Sequence, residues 1–585
     1  MRSARLRGSD LPANPMPGRI SKSNLSFRRR SFAVAKWWER AIFYQIYPRS
    51  FRDSDGDGIG DLAGIESRLD YLAEIGVDAL WISPFYPSPM KDFGYDISDF
   101  TGIHPIFGDM ESFKRLLAAA HAKGLRVVVD LVINHTSDEH PWFVEARSSR
   151  DAPKHDWYIW KPMKRNRLGL LRKPNNWVAQ FELSSAWWPN EETGEWYLGT
   201  FTRNQPEVNW RNPDLRAAMY EVVRFWLDLG VDGYRMDVVN WYVKDAEFRS
   251  NPRNLVANPD IFQRHIHDRD QPEIHGICRE IRVIADSYPG DRVLIGEIFC
   301  RDPRQAASYH GAELDELHMA FNFDLLYRKW SARELRGSIR RWYDALPPGA
   351  WPNMTLSNHD QPRHIWRFRG RNAAETAARS RVAACLLLTL RGTPFIYYGE
   401  ELGMAQGIIA RKDLRDPLGI KTWPLRSLGR DGERTPMQWD AGPAAGFTSG
   451  KPWLPVNPGW KYRNVEAELT ESGSLLSWYR ELIVLRKASV ALREGDIEFL
   501  DGGDDDCICF LRSGGKERFM VALNLCARSR PVPEASARVL AGAAGAAGAA
   551  AVAAAATVLA STHRARGQAV GELLLSPYEA LVARC

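Results

Sequence analysis

Short apolar runs alternate with longer amphipathic segments along most of this chain, starting at residue 41. The segments 110–124 and 215–230 show the helical period, and the short runs are typical of buried strands. A regular alternation of strands and helices predicts an α/β fold with a parallel sheet, and eight strands are enough to close a (β/α)8 TIM barrel. The predicted strands lie at 41–51, 77–85, 125–134, 231–238, 291–299, 314–323, 352–358 and 393–398.

The alternation is interrupted once and then ends. Residues 136–206 are rich in Trp, Pro, Asn and basic residues without a sustained period, and this stretch is too long for a simple loop. We therefore predict an inserted subdomain B after the third strand, with the barrel built from 37–135 and 207–490. Residues 491–585 alternate as strands do and predict a C-terminal antiparallel β domain, a β-sandwich, with an Ala/Gly-rich loop at 541–556.

The net charge of +6 is concentrated at the start of the chain. The first 30 residues hold eight Lys or Arg against one acid, Asp10, so the rest of the chain is close to neutral. We expect residues 1–36 to be a disordered basic tail, and we expect neither a nucleic-acid partner nor a membrane partner for the folded body. No apolar run reaches the length needed to span a bilayer.

Seven cysteines are scattered without a paired motif, and the basic tail lacks the apolar core of a secretory signal. Reduced thiols and a cytoplasmic location are the interpretation that fits both observations.

Four of the predicted strands end on polar or charged residues, in the segments 127–135, 231–239, 293–299 and 354–360. The carboxyl ends of barrel strands meet on one face, where the chemistry of such folds takes place. We expect the following residues to meet there: Asp130, Asn134, His135, Arg235, Asp237, Glu297, His359 and Asp360.

Asp237 and Glu297 end adjacent predicted strands, the fourth and the fifth. Cleavage of an acetal between sugars needs one carboxyl group as acid and a second as nucleophile or base. Arg235 lies two residues before Asp237 and points to the same side, so we expect it to keep Asp237 ionised while Glu297 carries a proton. A purely structural ion pair is the alternative, and the sequence spacing does not distinguish retention from inversion.

The segment DSDGDGIGD at 53–61 resembles the first half of a calcium-binding loop. Gly64 occupies the position where such loops carry a bidentate Glu, so a complete EF-hand is not predicted. A structural Ca²⁺ or Mg²⁺ is the predicted cofactor, a solvated acidic turn is the alternative, and no organic cofactor is expected. The predicted ligands are Asp53, Asp55, Asp57, Asp61 and the carbonyl of Ile59.

From about residue 37 to the end, the chain resembles the α-amylase superfamily, glycoside hydrolase family 13, in its bacterial α-glucosidase/oligo-1,6-glucosidase branch. The four strand-end segments carry this resemblance, together with YQIYPRSF (44–51), GTPFIYYGEELGM (392–404) and GERTPMQWD (432–440). The resemblance implies that Asp237 is the nucleophile, Glu297 the general acid/base and Asp360 the third carboxylate. It also implies substrate-binding roles for His135, Arg235 and His359.

The motif KDFGYDISD (91–99) is similar to that of exo-acting members of the family. By resemblance, Asp92 binds the terminal glucose, Tyr95 stacks on its ring, and Arg434 pairs with Asp92 to close the pocket. The implied activity is that of a retaining exo-α-glucosidase acting on short oligosaccharides through a glucosyl-enzyme intermediate. A transglucosylase, a sucrose- or trehalose-acting member and a non-catalytic binding protein are the alternatives, and the sequence leaves the oligomeric state open.

Overall fold

Eight parallel strands form one sheet that wraps into a nearly closed barrel. In sheet order the strands run β6-β5-β4-β3-β2-β1-β8-β7, so neighbours in the chain are neighbours in the sheet. Each strand lies inside a predicted range, which confirms the predicted fold class. Their bounds are Phe43–Ile46 (β1), Ala79–Ile82 (β2), Arg126–Leu131 (β3), Gly233–Met236 (β4), Val293–Gly296 (β5), Met319–Ala320 (β6), Asn353–Thr355 (β7) and Thr393–Tyr397 (β8).

The structure is a computed structural model. The residues that it describes are 35–254, 262–300, 302–424, 428–500, 505–532, 556–570 and 574–585. All but the last two positions of the predicted basic tail, 1–36, lie outside the described residues. The same is true of the predicted Ala/Gly-rich loop at 541–556, apart from its final residue.

The register of β3, β4 and β5 positions the polar strand ends. Arg235 of β4 pairs with Asp130 of β3, and Met236 pairs with Gly296 of β5. Asp237 and Glu297 each follow one residue after that last pair, so they leave the sheet side by side. Parallel pairing in register therefore brings Asp130, Asp237 and Glu297 together, although helices between the strands separate them by up to 167 positions in the chain.

The barrel interior is filled by apolar side chains from most of its strands. Large rings dominate, because one side chain from each strand must fill the space across the barrel. Phe43 stacks on Phe395 with ring centroids 4.6 Å apart, and Phe321 meets Phe395 edge to face at 5.0 Å. The cluster also contains Ala79, Trp81, Val128, Val293, Ile295 and Met319.

Helices connect the strands and cover the outside of the barrel. The α-helix Pro213–Leu229 shows how sequence sets their limits: Asn212 caps its start, Pro213 occupies the first turn, and Gly230 ends it with φ +104°. None of the described helices combines the length and apolar character needed to cross a bilayer. The main helices are Leu62–Glu66, Leu69–Ile75, Met110–Ala122, Pro213–Leu229, Glu273–Asp286, Pro303–Ser308, Ala332–Ala345, Ala373–Thr389 and Leu475–Ala488.

The stretch between β3 and β4 contains short strands and a small core of its own. A three-stranded antiparallel sheet joins Trp160–Pro162, Glu195–Leu198 and Trp187–Asn190. Trp177, Trp187 and Trp196 pack with smaller apolar residues at its centre. A helix, Pro141–Ser148, and two two-stranded pairs complete this region: Lys164–Arg165 with Leu171–Arg172, and Val178–Ala179 with Ser184–Ser185.

An antiparallel sheet of five strands follows the barrel, as predicted. In sheet order its strands are Asp496–Phe499, Cys507–Gly514, Glu517–Asn524, Ala580–Arg584 and Thr557–Ser561. A second, two-stranded pair joins Arg530–Pro531 to Leu574–Leu575. The β-sandwich arrangement and the domain boundaries at 135/136, 206/207 and 490/491 stay predictions.

Gly233 at the start of β4 provides a sharp test of strand packing. Its φ is +151°, and a Cβ built there would lie 2.1 Å from the carbonyl oxygen of Val293 in β5. We expect Gly233→Ala to lower the free energy of unfolding by about 2–5 kcal/mol, because β4 and β5 cannot both keep their positions. Chemical denaturation of the purified protein measures this change.

The matched control is Gly276→Ala in the helix Glu273–Asp286, where a Cβ meets nothing within 4 Å. This substitution removes a helical glycine, and we expect it to stabilise the protein by about 0.5–1 kcal/mol. Similar effects of the two substitutions would contradict the packing described for β4 and β5.

Candidate active site

One buried guanidinium holds three carboxylates at the carboxyl ends of β3, β4 and β5. Arg235 donates from Nη1 to Asp237 Oδ1 at 2.6 Å and from Nη2 to Glu297 Oε2 at 2.5 Å. Nη1 also donates to Asp130, whose other oxygen accepts from Trp81 Nε1 at 2.7 Å. Asp130 therefore holds Arg235, and Arg235 holds the predicted catalytic pair.

Asp237 lies in a buried site with two other acids, which affects its pKa. Burial raises the pKa of Asp237 well above its usual range, the Arg235 guanidinium acts against this, and the neighbouring Glu297 and Asp130 raise the pKa further. Arg235 acts in the direction we expected, toward an ionised Asp237, and burial with the neighbouring acids acts against it. The negative charges of Glu297 and Asp130 therefore disfavour ionisation of Asp237, and the Arg235 guanidinium offsets part of this effect.

Asp360, after β7, has the opposite environment. It accepts from Arg434 Nη2 at 2.8 Å, and its Oδ2 lies 3.0 Å from His359 Nε2. Burial favours the neutral acid, but His359, Arg434 and Arg430 outweigh it and lower the pKa of Asp360 well below its usual range. Asp360 is thus ionised at neutral pH.

The structure corrects the predicted partner of Asp92. Arg430 Nη2 donates to Asp92 Oδ1 at 2.6 Å, whereas Arg434 donates to Asp360 and to the carbonyl oxygen of His359. The predicted pair of Asp92 with Arg434 was wrong, although the closing pair exists, and Arg430 forms it. The two arginines lie four residues apart in one loop, and sequence alone does not show which of them faces Asp92.

Arg430 is fixed from two further sides. Its Nε and Nη2 donate to the buried Asp416 at 3.0 and 2.7 Å. Its guanidinium also lies over the ring of Phe181, 4.1 Å from the centroid, which is a cation–π distance. Sequence reasoning missed Arg430 and Asp416, and the segment GRDGERT (429–435) was the signal that contained Arg430.

Tyr95 and two histidines surround the same space. The ring of Tyr95 stacks parallel on His359 with centroids 5.4 Å apart, and its hydroxyl lies 2.7 Å from His359 Nε2. His135 Nε2 lies 3.0 Å from the carbonyl oxygen of Tyr95. Burial lowers the pKa of His135 to about 3, so its imidazole is neutral near pH 7 and its Nε2–H donates to that carbonyl.

These residues enclose a cavity of about 300 Å³. Six predicted site residues line it: Asp92, Tyr95, His135, Asp237, Glu297 and Asp360. The other three predicted residues, Arg235, His359 and Arg434, are buried behind this lining and hold its carboxylates. Further lining residues that sequence reasoning did not identify include Phe181, Phe201, Gln205, Arg430 and Glu433.

Glu433 is an additional acid in the lining. Its side chain is buried, and Gln406 Nε2 donates to its Oε2 at 2.6 Å. Burial raises the pKa of Glu433 to about 8, Gln406 and Arg434 act against this, and Asp360 adds to it. Glu433 is therefore mostly protonated near neutral pH, unlike Asp360 beside it.

The predicted metal-binding loop lies elsewhere, after β1. Carboxylate oxygens of Asp53, Asp55 and Asp61 all lie within 4.8 Å of one another. Asp57 is outside this group, and its Oδ1 accepts from the backbone N–H of Ile59 at 2.7 Å. Burial raises the pKa of Asp57, with Asp55, Asp53 and Asp61 adding to the shift, so negative charge accumulates in the loop.

Comparison with known families identifies one match. The family described as alpha amylase, catalytic domain, matches residues 45–495, which include all of the site residues named above. The chain is 41% identical to a protein from Rhizobium meliloti (strain 1021) named Probable alpha-glucosidase, over 84% of this chain and 89% of that protein. It is 39% identical to the Oligo-1,6-glucosidase of Parageobacillus thermoglucosidasius, over 83% of this chain and 90% of that protein.

Solved structures agree with this match. The crystal structure of an alpha-glucosyl transfer enzyme is similar with a TM-score of 0.84 and 38% sequence identity, covering 94% of this chain and all of that one.

The raised pKa of Glu433 predicts a pH dependence of stability. Between its ordinary value of 4.5 and about 8, the folded chain binds more protons at this group than the unfolded chain. Its contribution to stability is therefore lost as pH rises through that window. Glu433→Gln has no such group to titrate. The difference in free energy of unfolding, variant minus parent, should therefore rise by about 2–4 kcal/mol from pH 5 to pH 9.

Urea denaturation at both pH values measures this, and the variant-minus-parent difference cancels the other titrating groups. Glu466→Gln, at an exposed position, is the control. For this variant we expect the same variant-minus-parent difference at both pH values. Parallel stability curves for Glu433→Gln and the parent would show that Glu433 is not held in its neutral form.

Proposed function

The chain belongs to the α-amylase family of glycoside hydrolases, and from this premise we propose that it is an exo-acting, retaining α-glucosidase. Its substrate is a carbohydrate, and the proposed reaction is the release of terminal α-linked glucose from short oligosaccharides. The single observation that carries the proposal is the contact of Arg235 with both Asp237 and Glu297.

The Arg235 contacts support retention. The two arms of one guanidinium reach Asp237 and Glu297 at 2.6 and 2.5 Å, so the two carboxyl groups lie close together. Inverting enzymes need carboxyls about 6.5–9.5 Å apart to admit a water, whereas retaining enzymes keep them about 5–5.5 Å apart. The compact arrangement favours direct attack by a carboxylate.

The proposed reaction has two steps. Asp237 attacks the anomeric carbon while Glu297 gives its proton to the glycosidic oxygen, so the bond to the leaving sugar breaks and a glucosyl-enzyme ester forms. Water then attacks the same carbon, Glu297 takes its proton, and Asp237 leaves as a carboxylate with glucose released. Arg235 contacts both carboxyls and holds them in place for these two roles.

The Asp92–Arg430 pair supports exo action. Both residues line the cavity and bind each other at 2.6 Å, and Asp416 and Phe181 hold Arg430 in place. Gln205 Nε2 donates to the second oxygen of Asp92 at 3.1 Å. A sugar chain extending past the terminal glucose would have to break this pair, so the pocket favours a terminal glucose.

Transfer to a sugar acceptor is the second candidate, and the likeness to an alpha-glucosyl transfer enzyme favours it. Hydrolysis and transfer share the glucosyl-enzyme, and the acceptor decides between them. One wall of the cavity carries the apolar side chains Phe181, Phe201 and Val238, a surface on which the ring of an acceptor sugar can stack.

Product analysis with maltose, isomaltose, sucrose and trehalose tests the proposed activity. We expect free glucose at low sugar concentration and an increasing share of transfer products at high concentration. Asp237→Asn should lower kcat roughly 10³-fold or more on every substrate, because no glucosyl-enzyme forms without a carboxylate nucleophile.

Glu297→Gln is the matched variant. An activated aryl glucoside needs no proton on its leaving group, so we expect its first turnover to be far less impaired than cleavage of isomaltose. Equal loss on both substrates would contradict the role of Glu297 as acid, and full activity of Asp237→Asn would contradict the whole assignment.

We also propose a structural Ca²⁺ or Mg²⁺ at the loop after β1, held by Asp53, Asp55 and Asp61. All three offer carboxylate oxygens, which both ions prefer, and their mutual distances fit one shared cation. The ion would neutralise the loop and join its ends. It has no part in the proposed reaction.

Thermal unfolding with EDTA, Ca²⁺ or Mg²⁺ tests the metal proposal. We expect the ion to raise Tm in the parent and to have little effect on Asp55→Asn, since an ion at 100 times its Kd adds about 2.7 kcal/mol to the stability. Asp57→Asn is the control and should keep the full response. An unchanged Tm in the parent would overturn the proposal.

We also propose a cytoplasmic location for the protein. Cys278 and Cys385 are buried thiols, and neither forms a disulfide within the described residues. This state supports a reducing compartment.

A further inference from the structure

A basic hairpin projects from the region between β3 and β4. We define it as residues 161–173, in which Lys164–Arg165 pairs antiparallel with Leu171–Arg172. It contains six Lys or Arg and no acidic residue. The hairpin does not line the active-site cavity, and the proposed reaction does not use it.

The tip of the basic hairpin exposes large apolar side chains. Leu168, Leu170 and Leu171 are 82%, 61% and 45% exposed. One such leucine on a surface needs no explanation, but three at one tip form an apolar patch. Four cations, Lys164, Arg165, Arg167 and Arg172, are also exposed around it.

The turn that presents these leucines is held by its own hydrogen bonds. Asn166 Oδ1 accepts from the backbone N–H groups of Leu168 and Leu170 at 2.9 and 3.0 Å. Arg165 Nη1 donates to the carbonyl oxygen of Gly169 at 2.6 Å, and Gly169 has φ +75°. The turn therefore has a defined shape that keeps Leu168 at its apex.

The base of the basic hairpin is anchored to the rest of the region. Lys161 Nζ lies 3.7 Å from the ring centroid of Phe248, and Lys173 Nζ lies 3.7 Å from that of Trp196. Lys173 also donates to the carbonyl oxygen of Trp187. These contacts hold the two ends, so the tip projects from a fixed base.

The exposed cations of the tip have no salt-bridge partner among the described residues. Lys164 lies directly opposite Arg172 on the paired strands, an arrangement of like charges that is unfavourable. Across the described ranges, no carboxylate forms a salt bridge with Lys164, Arg165, Arg167 or Arg172. The nearest exposed acid along the chain, Asp156, lies five residues before Lys161, and its Oδ2 accepts from Asn212 Nδ2 at 3.0 Å.

We propose that the basic hairpin binds the surface of a bilayer that contains anionic lipids, with its leucine tip inserted among the acyl chains. An anionic membrane offers both negative charge at the surface and an apolar layer beneath it, which matches the cations and the leucines together. A nucleic acid would satisfy the cations and leave the leucines in water. A second copy of the hairpin would cover the leucines and bring like charges together.

Co-sedimentation of the full chain with vesicles tests the proposal. We expect binding to vesicles of equal parts phosphatidylglycerol and phosphatidylcholine, and little binding to pure phosphatidylcholine. Leu168→Ser combined with Leu170→Ser should weaken binding about 10- to 100-fold. Arg165→Gln combined with Arg167→Gln should weaken it about 30-fold, and 1 M NaCl, where the screening length is about 3 Å, should abolish most of it.

Val484→Ser is the control for loss of an exposed apolar side chain, because Val484 is 60% exposed on the helix Leu475–Ala488. This variant should bind like the parent, and all variants should keep the parent's glucose release.

The proposal is overturned if the parent does not bind anionic vesicles. It is equally overturned if the leucine pair variant binds as tightly as the parent, which would assign the binding to the basic segment 1–30. Loss of a dimer in the leucine variant without any vesicle binding would show self-association instead.

Discussion

The active site depends on the placement of one guanidinium, that of Arg235, among three carboxylates. Asp130, Asp237 and Glu297 end three adjacent strands, and each accepts a hydrogen bond from the same guanidinium. Taken out of water without Arg235, the three acids would repel each other by several kcal/mol and would all tend to hold protons. With Arg235 in the middle, Asp237 and Glu297 can lie close together, which glycosyl transfer to a carboxylate requires.

The same principle extends across the cavity. Arg430 joins Asp92 to Asp416, Arg434 binds Asp360, and His359 lies between Asp360 and the ring of Tyr95. Asp92 and Asp360 thus each accept a hydrogen bond from a buried cation. The side chain of Glu433 accepts from the neutral Gln406, and burial raises its pKa to about 8. The cavity therefore contains an ionised Asp360 and a mostly neutral Glu433.

Much of this arrangement could be predicted from the sequence, for a physical reason. A parallel barrel places strand ends on one face, so apolar runs that finish on Asp237, Glu297 and Asp360 identify both the fold and the site. The partner of Asp92 could not be predicted in the same way. Arg430 and Arg434 belong to an irregular loop, where no period relates sequence position to side-chain direction, and only the folded loop shows that Arg430 faces Asp92. The raised pKa of Asp237 was also beyond the sequence, because it depends on burial that neighbouring strands create.

The pair of Asp92 with Arg430 joins residues 338 positions apart in the chain. During synthesis at about 5–20 residues per second, Asp92 precedes its partner by roughly 20–70 s. A nascent chain that already contains the first strands, and later even Asp237 and Glu297, still lacks the wall that limits the pocket to one glucose. The wall that makes the pocket selective for chain ends is therefore completed only after Asp237 and Glu297 have been synthesised. A chain truncated before Arg430 would contain these two carboxyls but could not close the pocket.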